Sequence, residues 1–125
     1  KPGAIQSFLL RIVQMELKKA FGKVFRWLRT QNGLSQEDFS DISGRTYIST
    51  LERGIHSPTI DRLEALAPML RVHPITLLVC TYAAKDGVSP DVLLQRVRED
   101  IEGMQPPFTS PSELHPTQSQ KSDEV

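Results

Sequence analysis

The sequence has little that would tie it to catalysis, to a membrane or to an oxidising compartment. It holds one cysteine, Cys80, inside the apolar run ITLLVC at residues 75–80. A lone cysteine closes no internal disulfide, so nothing points to a disulfide-braced secreted domain, and its apolar setting reads as core packing. No apolar run approaches the ~20 residues that span a bilayer. The run at residues 4–13 is interrupted by Gln6 and Arg11 and lacks a small-residue cleavage site, so it does not read as a secretory signal. A cytoplasmic protein is the expectation. The histidines, His56, His73 and His115, lie far apart, and none has a cysteine or histidine at ligand spacing. There is no glycine-rich phosphate loop and no Ser-His-Asp or Cys-His arrangement. The sequence therefore predicts no enzyme, no metal, no cofactor and no small-molecule ligand.

Net charge is also missing, since 15 Lys/Arg balance 15 Asp/Glu. The distribution is less even. Residues 1–58 carry nine basic against five acidic side chains, and residues 59–125 carry six against ten. A basic half joined to an acidic half suits a surface facing a polyanion, although a surplus of four over 58 residues is modest.

What the sequence does contain is helical periodicity, with no convincing run of alternation. Apolar residues at 5, 8, 9, 12, 13, 17, 20, 21, 24, 25 and 28 follow the three-and-four spacing of an amphipathic helix, as one long helix or two. Gly22 weakens it locally, and Asn32-Gly33 is a stop signal. Ser35 with Asp38 three residues on forms a capping box, opening a second helix of about eight residues that ends near Ser43-Gly44. A third runs from Arg45 to Gly54. Thr59 caps a fourth, through Leu63, Leu66 and Leu70, which Pro68 kinks or shortens. His73-Pro74 and Ser89-Pro90 each pair a cap with proline at the first helical position. They open a fifth helix through Leu77, Leu78 and Tyr82, and a sixth carrying Val92, Leu93, Val97 and Ile101 on one face. Residues 104–125 are rich in Pro, Ser and Gln and read as disordered. The fold class is all-α. It divides into a helical N-terminal extension over residues 1–16, a helical domain over 17–84, a C-terminal helix within 85–103 and the tail.

The segment at residues 34–54 carries the functional signal. A capped helix meets a glycine turn, and a second short helix follows at once. Ile48 and Leu51 face one side of that helix. Arg45, Thr46, Ser49 and Thr50 face the other, the layout that fits a major groove. An ordinary solvated helix face has the same periodicity. The motifs GLSQEDF at 33–39, YISTLERG at 47–54 and SPTIDRLEALA at 57–67 distinguish them. In that order and spacing they closely resemble the XRE-type, Cro-like (lambda-repressor-like) family of helix-turn-helix domains, over residues 17–78.

The resemblance implies a compact five-helix domain whose third helix reads bases of double-stranded DNA, usually as a homodimer on a palindromic operator. By position it assigns base contacts to Arg45, Thr46, Ser49 and Thr50. Arg45 is the strongest, because a guanidinium can donate two bonds to guanine. It places Gln36 at a phosphate, at a helix N-terminus where free N–H groups also favour phosphate. It sets Arg53 and His56 beside the DNA backbone. It pairs Arg29 with Glu52 in a buried salt bridge, and gives Ser40 a small-residue role between the two helices. The family's turn is longer, because this chain is two residues short between Phe39 and Tyr47. Either the second helix ends early or the third begins late.

The apolar residues of the last two helices, Leu77, Leu78, Tyr82, Val92, Leu93 and Val97, form the expected dimer surface, with Ile5, Phe8, Leu9 and Ile12 as a second candidate. The function expected is a transcriptional regulator, a repressor rather than an activator because no polymerase-contacting segment is evident. The alternative is an antitoxin-like interaction module that masks a partner protein with its tail and autoregulates its operon.

Overall fold

The computed structural model describes the backbone of residues 2–104 and the side chains of residues 3, 4 and 17–104. The chain forms α1 (Pro2–Gln31), a 3-10 turn (Gln36–Phe39), α2 (Arg45–Glu52), α3 (Ile60–Leu66), a second 3-10 turn (Ala67–Leu70), α4 (Pro74–Asp86) and α5 (Pro90–Met104), with no strand among the described residues. Met104, expected to open the tail, is instead the last residue of α5. The expectation of disorder over the rest of the tail, and the surface drawn from Ile5, Phe8, Leu9 and Ile12, fall outside the described residues and side chains.

The first amphipathic stretch is one helix and runs straight through Gly22. Its apolar stripe buries Ala20, Phe21 and Phe25. Phe25 lies against Phe21, ring centroids 6.1 Å apart, and against Phe39 at 5.3 Å. The stop at Asn32-Gly33 works as a left-handed cap. Gly33 takes φ 69, Leu34 N–H returns to Arg29 O at 3.0 Å, and Asn32 Nδ2 donates to Leu28 O at 2.8 Å and Leu70 O at 3.2 Å.

The second helix expected over residues 35–43 is not formed. Only the four-residue 3-10 turn Gln36–Phe39 stands there. Ser35 N–H donates to the Asp38 carboxylate at 2.7 Å, so the box pairing holds the start. Phe39 is fully buried, and the N–H groups of Ile42 and Ser43 both return to its carbonyl, at 3.0 and 2.9 Å. That tight turn delivers the chain to Gly44, which is extended. The two-residue shortening has therefore been taken out of the second helix, and the third begins at Arg45 as expected. Ser40 is exposed, so its small size permits no close approach of helices there. The close approach lies elsewhere: a Cβ on Gly22 would stand 2.5 Å from Leu51 O and 2.6 Å from Glu52 O.

The core joins Phe21, Phe25, Phe39, Ile48, Leu51, Leu63, Leu66, Leu70 and Leu77. Fully burying side chains of this size is worth about 1.5–3 kcal/mol each. Thr59 Oγ1 accepts from Arg62 N–H at 3.2 Å to start α3. Pro68 ends α3 at Leu66, and the chain continues as the second 3-10 turn. His73 Nδ1 accepts from Ile75 N–H at 3.0 Å to start α4. No single helix among the described residues is long and apolar enough to cross a membrane.

Leu77 is 0% exposed and belongs to this core. It is not available to a second chain, which corrects its assignment to a dimer surface. Leu78 is half-buried and Tyr82 is 40% exposed. Both line an open apolar groove of about 120 Å³ with Leu17, Leu63 and Pro58. The chain divides into two units between Leu93 and Leu94. Leu93, half-buried, closes the first, while Leu94, Val97, Ile101 and Met104 of the second are exposed.

Candidate nucleic-acid interface

Helix α2 has two sharply different faces. Ile48 and Leu51 are fully buried. Arg45 and Thr46 are exposed, and Ser49 and Thr50 are half-buried. The four side chains expected to face bases thus share the outer face of one eight-residue helix. Thr50 Oγ1 donates to Tyr47 O at 2.7 Å. Its hydrogen is committed, so the hydroxyl meets a ligand as an acceptor. Arg45 donates from Nη1 to Glu37 Oε1 at 2.9 Å, with both side chains 69% exposed. An exposed pair of this kind is worth at most about 1 kcal/mol, so it opens readily when a better acceptor arrives.

The Arg29–Glu52 pair is present and anchors α2 to α1. Arg29 Nε and Nη2 donate to the two carboxylate oxygens, the latter at 2.9 Å, while Nη1 donates to Leu34 O at 2.8 Å. The side chains are 12% and 5% exposed. The hydrogen bond to Glu52 holds the Arg29 pKa above its ordinary value, against the opposing effect of burial. Gln36 joins this pair, donating from Nε2 to Glu52 Oε1 at 3.1 Å. One amide hydrogen is thereby used and one remains for an outside acceptor such as phosphate. Arg53 and His56 are both exposed after α2. Arg53 keeps a long 3.4 Å contact from Nε to Ser49 O.

Two side chains that shape this surface were not singled out in the sequence. Glu37, paired with Arg45, had no marker beyond its place in the GLSQEDF motif. Arg62, at the start of α3, donates from Nη1 to Ile42 O at 3.0 Å, and its guanidinium lies 5.0 Å over the Tyr47 ring. It braces the turn before α2 and the helix itself. Burial raises the Tyr47 pKa above its ordinary 10.0, and Arg62 opposes that shift. Arg62 falls inside the SPTIDRLEALA motif, but the spacing gave no hint of its partners.

A family model described as helix-turn-helix matches residues 25–77. That interval covers the end of α1, the 3-10 turn, α2, α3 and the start of α4. The chain is 39% identical over 69 residues to an uncharacterized HTH-type transcriptional regulator, y4dJ, of Sinorhizobium fredii (strain NBRC 101917 / NGR234), a match covering 54% of this chain and 90% of that protein. No solved structure matches. With the anchored α2 and its outer polar face, these likenesses are sufficient: the chain belongs to the XRE-type helix-turn-helix family of DNA-binding transcriptional regulators.

Proposed function

We propose that the protein acts as a homodimeric repressor, laying α2 in the major groove of a palindromic operator. The carrying observation is the division of α2 into a fully buried back, Ile48 and Leu51, and an outer face of Arg45, Thr46, Ser49 and Thr50. In this reading Arg45 exchanges Glu37 for guanine, giving about 1–3 kcal/mol of discrimination at one base pair. Thr50 accepts from an exocyclic amine, and Thr46 and Ser49 complete the edge. Gln36, Arg53 and His56 contact phosphates, adding affinity and register without sequence information. Leu78 and Tyr82 on α4, Leu93, and separately Val97 on α5 supply apolar surface for a second copy. A dimer sets its reading helices about 34–36 Å apart, one DNA turn.

Selection of bound duplexes from a random pool tests this directly. The expected result is an inverted repeat with half-sites about one turn apart. Arg45→Ala should abolish preference at one position in each half-site while leaving the fold intact. Unchanged base preference in both Arg45→Ala and Thr50→Ala would remove α2 as the reading element. Sedimentation of the free protein tests dimerisation: a monomer at all concentrations would exclude a preformed dimer.

A further inference from the structure

We infer that Gly22 is a positioning residue for base reading, although it lies on α1, outside the proposed reading face. The inference rests on α2 being the reading helix. A Cβ added at Gly22 would lie 2.5 Å from Leu51 O, 2.6 Å from Glu52 O and 2.9 Å from Glu52 C. All three are backbone atoms, so no rotamer change relieves the contact. Glycine inside a helix costs about 1 kcal/mol relative to alanine. At this position the missing side chain is what lets the last turn of α2 rest on α1.

The seam has a second glycine facing the other way. Gly54, just past α2, takes φ +75, and its missing Cβ would stand 2.8 Å from Lys19 Cγ and 3.0 Å from Lys19 Cα. Lys19 precedes Gly22 by three residues and Arg29 follows it by seven, so all three share one face of α1. That face holds the end of α2 twice: by backbone packing at Gly22 and by the Arg29–Glu52 ion pair.

Arg45 and Thr46 lie six residues or so from this seat, about 9 Å along the helix at 1.5 Å per residue. Moving Leu51 O from 2.5 Å to ordinary contact, 3.4 Å or more, displaces or tilts α2 by a comparable amount. Hydrogen bonds to base edges tolerate only about 2.7–3.2 Å between heavy atoms. Contacts to phosphate from long side chains such as Arg53 tolerate much more. Gly22 therefore governs specific binding far more than non-specific binding.

The test is Gly22→Ala in the full chain. Affinity is measured at one salt concentration for the duplex selected by the wild type and for a scrambled duplex of the same composition. The selected duplex should bind at least about tenfold more weakly, in line with loss of one bidentate base contact, while the scrambled duplex changes by less than about threefold, as expected where phosphate contacts dominate. Simple destabilisation lowers the folded fraction and weakens both by the same factor, so equal losses, or no loss, would overturn the proposal. If Gly22→Ala does not fold by circular dichroism, Gly54→Ala carries the same test across the seam. Failure of both to fold makes the seam a folding requirement and overturns the positioning role. Should the wild type select no sequence at all, the reading of α2 itself fails, independently of Gly22.

Discussion

Replacing Arg29 with methionine should destabilise the domain by about 3–5 kcal/mol, the cost of leaving a buried charge without its partner. The structure supports the full range. Glu52 is 5% exposed, and without the guanidinium its carboxylate keeps only the Gln36 amide at 3.1 Å. Leu34 O also loses its 2.8 Å donor. Hydrogen bonds to charged groups are worth about 1.5–3 kcal/mol each, so the three lost bonds overlap with the charge term and are not added to it. Against a total stability of about 5–15 kcal/mol, this is a fifth or more. The melting temperature should fall by on the order of 12–40 °C, at 4–8 °C per kcal/mol for a domain of this size. Urea midpoints measured at constant m-value are the assay. The double variant Arg29→Met, Glu52→Met should be more stable than Arg29→Met alone, because replacing both partners removes the uncompensated charge. A loss below about 1 kcal/mol for Arg29→Met, or a double variant worse than either single one, would refute the account of the pair as the anchor of α2.

Two further outcomes follow from the surface around α2. Glu37→Gln removes an exposed carboxylate, so stability should move by less than about 1 kcal/mol. Affinity for DNA should rise at low salt, with the gain fading as salt is added; equal affinities at both ionic strengths would place Glu37 away from the phosphates. Tyr47 has a folded pKa raised by burial, so the folded state holds that proton more tightly than the unfolded chain. The corresponding stability is intact below the ordinary value of 10.0 and lost as pH rises from there through the raised pKa. Tyr47→Phe should flatten that part of the alkaline slope, above about pH 10, read from urea midpoints; a slope unchanged from wild type would argue against the burial effect.

Much of this architecture was legible because its signals are local. Thr59 and His73 announce α3 and α4 through side chains that cap the backbone two or three residues on. Pro68 ends α3 because it cannot continue the hydrogen-bond ladder. The Arg29–Glu52 pair came from the family motif. Its third member, Gln36, did not, because reading Gln36 as a phosphate contact treated its donors as free. The second helix was over-read for a related reason. Ser35 and Asp38 mark a helix start, but how far a helix continues depends on tertiary space, and Phe39 enters the core at once. Leu77 was misplaced because a helical stripe records which residues are apolar, not whether the core beneath has room for them. Gly22 read as a local weakness because its partners, the carbonyls of Leu51 and Glu52, lie about thirty residues away.

The short second element changes where the orientation of α2 comes from. A helix of eight residues is well below the ~12–15 that make an isolated helix even marginal in water. The preceding 3-10 turn of four residues, seated by the buried Phe39, adds two side-chain bonds to α2, from Gln36 to Glu52 at 3.1 Å and from Arg45 to Glu37 at 2.9 Å, but is too short to fix its attitude alone. The attitude of α2 is instead fixed from both flanks. Arg29 and Gly22 of α1 take its last turn. Arg62 of α3 takes Tyr47 and the carbonyl of Ile42 just before its first turn. Ile48 and Leu51 pin the middle to the core. With α2 as the proposed reading helix, substitutions in α1 and α3 should therefore alter base reading as strongly as substitutions on the outer face of α2. Their signature differs: an outer-face change erases preference at one base pair, whereas a flanking change shifts the helix and weakens every base contact together.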